Sequence, residues 1–318
     1  MQTGHRKSTW AWLYVDPMCG IVGLFSKSSA VSERLGVHLS DMLIQMGDRG
    51  PDSAGVAVYR NPAPEGSSKL SLYAAQLPYD WDAVRATLAR TFGGEPSFAV
   101  RHNNAVFVVP AAAVDAEAVV AEHHPEVSVI ASGEVIEVYK EKGHPRDFVE
   151  AFRLGDIQGT HALGHTRMAT ESMVTTQHSH PFSTGLDLCL VHNGSLSNHN
   201  RLRRELRRQG IEFRTDNDTE VGAGYLMWRL REGATLQEAL EGCLEDLDGF
   251  YTFLVGTRDG FAVLRDPIAA KPAVIAETDD WVAMASEFRA IAVLPGAEDA
   301  AIWEPEPARI YAWEREKV

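Results

Sequence analysis

One stretch near the amino end constrains this chain more than any other: Met18-Cys19-Gly20-Ile21-Val22-Gly23-Leu24-Phe25. Ile21, Val22, Leu24 and Phe25 form a short apolar run that reads as a buried strand, and Gly20 and Gly23 permit close backbone approach. Cys19 is thereby placed at a rigid strand end. Met18 precedes it, so removal of that methionine as an initiator leaves Cys19 as the first residue. An N-terminal cysteine carries a thiol and a free α-amine on one α-carbon, which delivers nucleophile and general base as a unit. Such an amine titrates near ~7.7–8.0, against ~10.4 for lysine, and accepts a proton at neutral pH. The stretch by itself is equally compatible with an ordinary buried thiol, because cysteine is among the most buried residue types. The rest of the chain has to decide.

With 318 residues and 45% hydrophobic content, the chain has the composition of a globular protein, read as one large domain with an insertion. A formal net charge of -14 argues against a nucleic-acid or anionic-membrane partner, since both require a basic surface. Arg201, Arg203, Arg204, Arg207 and Arg208 form a local basic cluster whose spacing suits a solvated helix face. No apolar run reaches membrane-spanning length. Residues 1–18 read as an N-terminal extension or an overcalled start. The apolar stretch Trp10-Ala11-Trp12-Leu13-Tyr14-Val15 is too short for a signal peptide core and lacks a small-residue cleavage site, so a cytoplasmic location is expected.

The cysteines are too far apart in sequence for a disulfide framework or a zinc ligand pair. Cys189 lies inside the strand-like run Asp187-Leu188-Cys189-Leu190-Val191, and Cys243 shares a helical face with Leu236, Leu240, Leu244 and Leu247; both read as core. His161, His165, His178, His180 and His192 crowd one region, but their spacings match no standard ligand set, and no metal is expected.

Apolar spacing predicts a helix over 33–46, then the break Gly47-Asp48-Arg49-Gly50-Pro51-Asp52-Ser53-Ala54-Gly55 and a strand over 56–59. Residues 61–68 are a linker by composition. From there the pattern reads strand (70–74), helix (81–92), strand (98–101), strand (105–109), helix (114–123), strand (127–131), the order of the ferredoxin-like split β-α-β arrangement. Residues 61–133 are therefore expected to form an inserted α+β subdomain, with 19–60 and 134–318 forming the main domain. After Gly164-His165-Thr166-Arg167-Met168-Ala169-Thr170 and a polar loop, a strand over 188–192 is expected to end in His192-Asn193-Gly194. Helices then run to 247, and apolar runs at 251–255, 261–264, 273–276 and 282–285 read as a strand meander.

An attack by Cys19 on an amide carbonyl requires two preorganised donors for the developing oxyanion. An asparagine side-chain amide and the following glycine N–H, as in Asn193-Gly194, can supply both from a tight turn. An amino-acid substrate also needs its charged groups held. Arg167 offers a two-pronged partner for an α-carboxylate and Asp218 a partner for an α-ammonium. Taken singly, Asn193-Gly194 is also a plain turn dipeptide, and each charge is also an ordinary surface or ion-paired group.

Together the motifs Cys19-Gly20-Ile21-Val22-Gly23, Arg49-Gly50-Pro51-Asp52-Ser53-Ala54-Gly55, Gly164-His165-Thr166-Arg167-Met168-Ala169-Thr170, His192-Asn193-Gly194 and Asp216-Asn217-Asp218-Thr219-Glu220 resemble, in order, those of class II glutamine amidotransferases. The resemblance implies an α+β N-terminal-nucleophile hydrolase fold, a four-layer αββα sandwich. It implies that Cys19 is the nucleophile with its own α-amine as base, that Asn193 and Gly194 form the oxyanion hole, and that Arg167, Asp218, Thr170 and Arg49 bind L-glutamine. The layout is similar to the separate glutaminase subunits of archaeal-type glutamate synthase and of N-methylglutamate synthase. That likeness implies no cofactor in this chain, and ammonia passed to a synthase subunit of a hetero-oligomer whose partner subunits carry FMN and an iron-sulfur cluster. The insert is expected to dock that partner. Met168 and Glu171 depart from the family pattern, where many relatives carry tryptophan and some carry histidine, so the lid over glutamine is expected to close differently. Two other readings stand beside this one: a self-sufficient γ-glutamyl amidase, and a non-catalytic glutamine-binding regulatory subunit should Cys19 stay blocked by the residues ahead of it.

Overall fold

The structure is a computed structural model that describes residues 18–168 and 174–315. Thr170, Glu171 and residues 1–17 lie outside the described residues. The chain opens with β1 (Gly20–Ser26), α1 (Ser29–Glu33), α2 (Leu35–Gln45) and β2 (Ser53–Tyr59). There follow β3 (Ser68–Ala74), α3 (Trp81–Phe92), β4 (Ser97–Arg101), β5 (Asn104–Val109), α4 (Ala113–His123) and β6 (Val127–Gly133). Next come β7 (Ile136–Lys142), α5 (Pro145–Ala151), β8 (His161–Arg167), β9 (Phe182–Gly185) and β10 (Leu188–Leu196). Helices α6 (His199–Arg208), α7 (Asp218–Arg231) and α8 (Leu236–Asp246) precede β11 (Gly249–Gly256), β12 (Gly260–Arg265), β13 (Val274–Glu277) and β14 (Trp281–Ala285). Last are α9 (Phe288–Ile291), β15 (Ala301–Trp303) and β16 (Ile310–Glu314).

Two antiparallel sheets stack face to face. One has the order β15-β13-β14-β1-β8-β2-β7 and the other β16-β12-β11-β10-β9. Every residue of β1 is buried, because the strand is covered on both faces. Ile21 and Phe25 join Val191, Leu254 and Phe261 in the core between the sheets. Val22 and Leu24 point the other way, into a core with Leu39, Met42 and Leu43 of α2 and with Phe148 and Ile291 of α5 and α9. The second sheet repeats this alternation, with Leu188 and Leu190 of β10 turned toward α6, α7 and α8 while Cys189 and Val191 face the first sheet. The result is helix, sheet, sheet, helix, the expected four-layer sandwich. The sheets approach closely over Gly23, where a Cβ would stand 2.6 Å from Leu254 Cδ2.

The segment from β3 to β6 builds a sheet of its own, ordered β4-β5-β3-β6 with every pair antiparallel. With β5 between β3 and β4, this is the split β-α-β order, and Leu70, Leu72, Phe107, Leu88 and Val120 fill its own core beneath α3 and α4. Its exit is pinned by Asp187, whose carboxylate accepts the backbone N–H groups of Glu134, Val135 and Ile136 at 2.8–3.0 Å.

The structure corrects the sequence reading at several places. The helix expected over 33–46 is broken at Arg34 into α1 and α2. The strand expected to stop at His192 runs on to Leu196, so Asn193 and Gly194 lie inside β10, paired with Thr252 and Tyr251, and not in a tight turn. The region between the insert and β8 holds β7, an edge of the seven-stranded sheet, and α5. Arg203 is not on the solvated face of α6: it is buried, donating to Asn217 O at 3.0 Å and to Asn200 Oδ1 at 3.0 Å over the ring of Phe213. Among the described residues no helix is long and apolar enough to cross a membrane.

Candidate active site

Cys19 sits immediately ahead of β1, with Thr166 of β8 paired to Gly20 on one side and the end of β14 on the other. Its thiol contacts Met168 O at 3.7 Å. Burial pushes the thiol pKa up, and the nearby cations of Arg167 and Lys271 work against that rise. Cys189 and Cys243 are fully buried in apolar cores, with pKa values raised by burial, as befits packing residues.

Asn193 reaches across from the second sheet. Its Nδ2 donates to Cys19 O at 3.1 Å, which brings a side-chain amide donor to the residue carrying the thiol. Gly194 follows at φ 142°, and a Cβ there would fall 2.0 Å from Phe250 O. Only glycine satisfies both the backbone angle and the contact. Arg49 converges on the same carbonyl: its Nε donates to Cys19 O at 3.3 Å, while its NH1 is paired with Glu287. Arg49 thus lies against the backbone of the candidate nucleophile, buried at 4% exposure.

Arg167 is the last residue of β8 and is buried at the candidate site, with its carbonyl accepting from Asp52 N at 3.0 Å. Asp218 opens α7 behind the N-cap Asn217, whose side chain accepts from Thr219 N at 2.8 Å. The carboxylate of Asp218 accepts from Leu196 N at 2.9 Å and remains partly exposed, at 22%. Thr170 belongs to the same motif as Arg167 but lies outside the described residues.

Beneath these groups lies a cluster of buried histidines. His165 Nε2 is 3.1 Å from His192 O, so that nitrogen is the donor, and the ring of His180 lies against that of His165, centroids 3.9 Å apart and planes tilted by 32°. His192 N donates to His180 Nδ1 at 3.4 Å, which leaves His180 Nε2 to donate to Thr219 Oγ1 at 3.1 Å. Thr219 Oγ1 is in turn 3.0 Å from His192 Nδ1 and 3.5 Å from Asp218 Oδ1. Burial lowers all of their pKa values, that of His165 to about 3, so the rings stay neutral. Their nitrogens hold the strand of Asn193 to the helix of Asp218.

Sequence reasoning missed His180, Lys271 and Glu287 as neighbours of this site. Glu287 follows β14, the antiparallel partner of β1, so the end of one strand lies beside the start of the other, where Ser286 Oγ accepts from Ile21 N at 2.9 Å. The topology carries that signal, and no local motif does.

Residues 165–293 match the glutamine amidotransferase domain family. The chain is 54% identical over 302 residues to the glutamine amidotransferase-like protein GlxB of Rhizobium meliloti, covering 95% of this chain and 100% of that protein. A protein of Methanothermobacter thermautotrophicus assigned to the glutamine amidotransferases is 30% identical over 309 residues, covering 92% of this chain and 99% of its own length. Among solved structures, glutamine phosphoribosylpyrophosphate amidotransferase from B. subtilis shares the fold, with a TM-score of 0.57 at 22% identity over 94% of this chain and 48% of that one. Relatedness over nearly the whole chain, on this fold, makes the protein an enzyme of the class II glutamine amidotransferase family.

Proposed function

We propose that the chain hydrolyses L-glutamine to L-glutamate and ammonia through a thioester on Cys19, and that the ammonia passes to a separate synthase subunit of glutamate synthase or N-methylglutamate synthase type. In this reading the α-amine of Cys19 takes the thiol proton as sulfur attacks the side-chain carboxamide. The tetrahedral oxyanion rests on Asn193 Nδ2 and the Gly194 N–H, and collapse expels ammonia with the proton from the amine. Water then cleaves the thioester. Arg167 holds the α-carboxylate of glutamine, with Thr170 beside it, and Asp218 holds the α-ammonium. Arg49 steadies the Cys19 carbonyl at the edge of the substrate site. This chain supplies no redox step; FMN and iron-sulfur chemistry belong to the partner subunits.

The observation that most supports the reading is the bond from Asn193 Nδ2 to Cys19 O, which holds a side-chain amide donor against the residue that carries the thiol. The reading requires Cys19 to be the first residue of the working enzyme. Intact mass of the protein from its native host, paired with a glutamate-release assay of wild type and Cys19→Ser, tests it. A mass beginning at Cys19 and loss of activity in the variant are expected. A retained Met18 in active enzyme, or an active Cys19→Ser, overturns it.

A further inference from the structure

Helix α6 carries five arginines and no lysine, in a chain whose net charge is -14. Asn200, Arg203, Arg204 and Arg207 recur at the spacing that puts them on one stripe of the helix. That stripe lines an open groove of about 590 Å³, a volume suited to a small molecule, together with His178 and the loop through Phe213 and Asp216. Arg203 is the buried part of the lining, at 8% exposure. Its Nη1 donates to Asn200 Oδ1 and its Nη2 to Asn217 O, each at 3.0 Å, and its Nε is left buried without a partner. Asn217 is the N-cap of α7, so the groove lies against the helix start that presents Asp218. The carboxylate of Asp216 is turned to His178 Nε2 at 3.1 Å, and the guanidinium of Arg214 is drawn off to Glu117 and Val129 O. Arg204 and Arg207 are exposed, and among the described residues neither pairs with a carboxylate.

We infer that the groove beside α6 is a binding site for a small phosphate-bearing anion, held by the guanidinium groups of Arg204 and Arg207 against Arg203. Like charges four residues apart, as in Arg203 with Arg207 and Arg204 with Arg208, destabilise a helix, and an anion between them relieves that repulsion. The residue type narrows the ligand. A guanidinium presents a planar fork of donors that matches two phosphate oxygens at once, whereas a lysine ammonium acts as a point charge. A buried arginine in the lining favours a compact, multiply charged head over a flat acidic surface, because a charge half-removed from water interacts more strongly than one at the rim. The site is independent of the role given to Cys19.

Isothermal titration of the full chain with sodium pyrophosphate, against sodium chloride at matched ionic strength, tests the site. Saturable binding is expected, and Arg204→Gln with Arg207→Gln is expected to weaken it about tenfold through the loss of charge-assisted contacts. Both side chains are exposed, so the double variant keeps the packing of α6, and the single variants serve should it fail to fold. Arg208→Gln, next along the helix but outside the groove, is expected to bind within about twofold of wild type. Heat no different from the chloride control, or Arg208→Gln weakened as far as the double variant, overturns the inference. So does capture of a poly-glutamate peptide by a chain that ignores pyrophosphate, the behaviour of a docking surface for an acidic protein.

Discussion

Lys140 of β7 is buried at 4% exposure, and no carboxylate forms an ion pair with it among the described residues. Lysine is rarely buried this deeply without one. Its Nζ instead donates toward the carbonyls of Gln177 at 3.3 Å, Ser179 at 3.0 Å and Pro181 at 3.4 Å, and lies over the Phe182 ring. Those carbonyls belong to the segment that carries His180 to Thr219, so the amine clamps one wall of the histidine cluster under the candidate site. Burial pulls its pKa down to about 7; Arg214 adds to the fall and Glu220 opposes it. A lysine whose folded pKa lies below its unfolded value binds fewer protons when folded, so stability rises with pH from near 7 toward 10.5. Linkage between those values makes the folded state gain about 2–3 kcal/mol from this one group between pH 6 and pH 9. Lys140→Met removes that slope, whatever constant offset the lost carbonyl bonds impose. Denaturant unfolding of wild type and Lys140→Met at pH 6, 7, 8 and 9 reads the difference directly. Curves that stay parallel within about 0.5 kcal/mol across that range refute the argument, since they require a lysine with the same pKa in both states.

Other consequences are sharper at the reacting centre. Asn193→Ala is expected to lower kcat for glutamine hydrolysis about 10²- to 10³-fold with little change in KM, the loss of one oxyanion donor, as steady-state glutamate release would show. Asp218→Asn keeps an acceptor for Leu196 N but removes the charge proposed to meet the substrate ammonium; KM for glutamine is expected to rise about ten- to hundredfold, checked in the same assay.

The parts of the molecule legible in its sequence are those where a local pattern and the tertiary environment agree. The stretch from β3 to β6 is the clearest instance: the helix predicted over 81–92 is α3, and each strand falls within two residues of its expected place, because its two-period and helical apolar repeats each face a single core. Legibility fails where one stretch serves two purposes. His192-Asn193-Gly194 looks like a strand end because asparagine and glycine are turn residues. In the fold Gly194 absorbs a positive φ inside a strand so that Phe250 O can approach, and the ladder continues to Leu196. Isolated charges are hidden for a different reason. Glu287, Lys271 and Lys140 carry no periodicity and no motif neighbours, and their meaning comes from which strand end or loop the topology delivers beside Cys19 or under His180. Arg203 shows the converse. Its neighbours Arg201, Arg204, Arg207 and Arg208 keep the expected exposed face, while one turn of helix carries it inward to the N-cap of α7. Spacing read as a solvated stripe cannot separate a residue that covers a surface from one that crosses the rim of that stripe to hold a helix start. In this fold the second kind of residue holds in place the helix that presents Asp218.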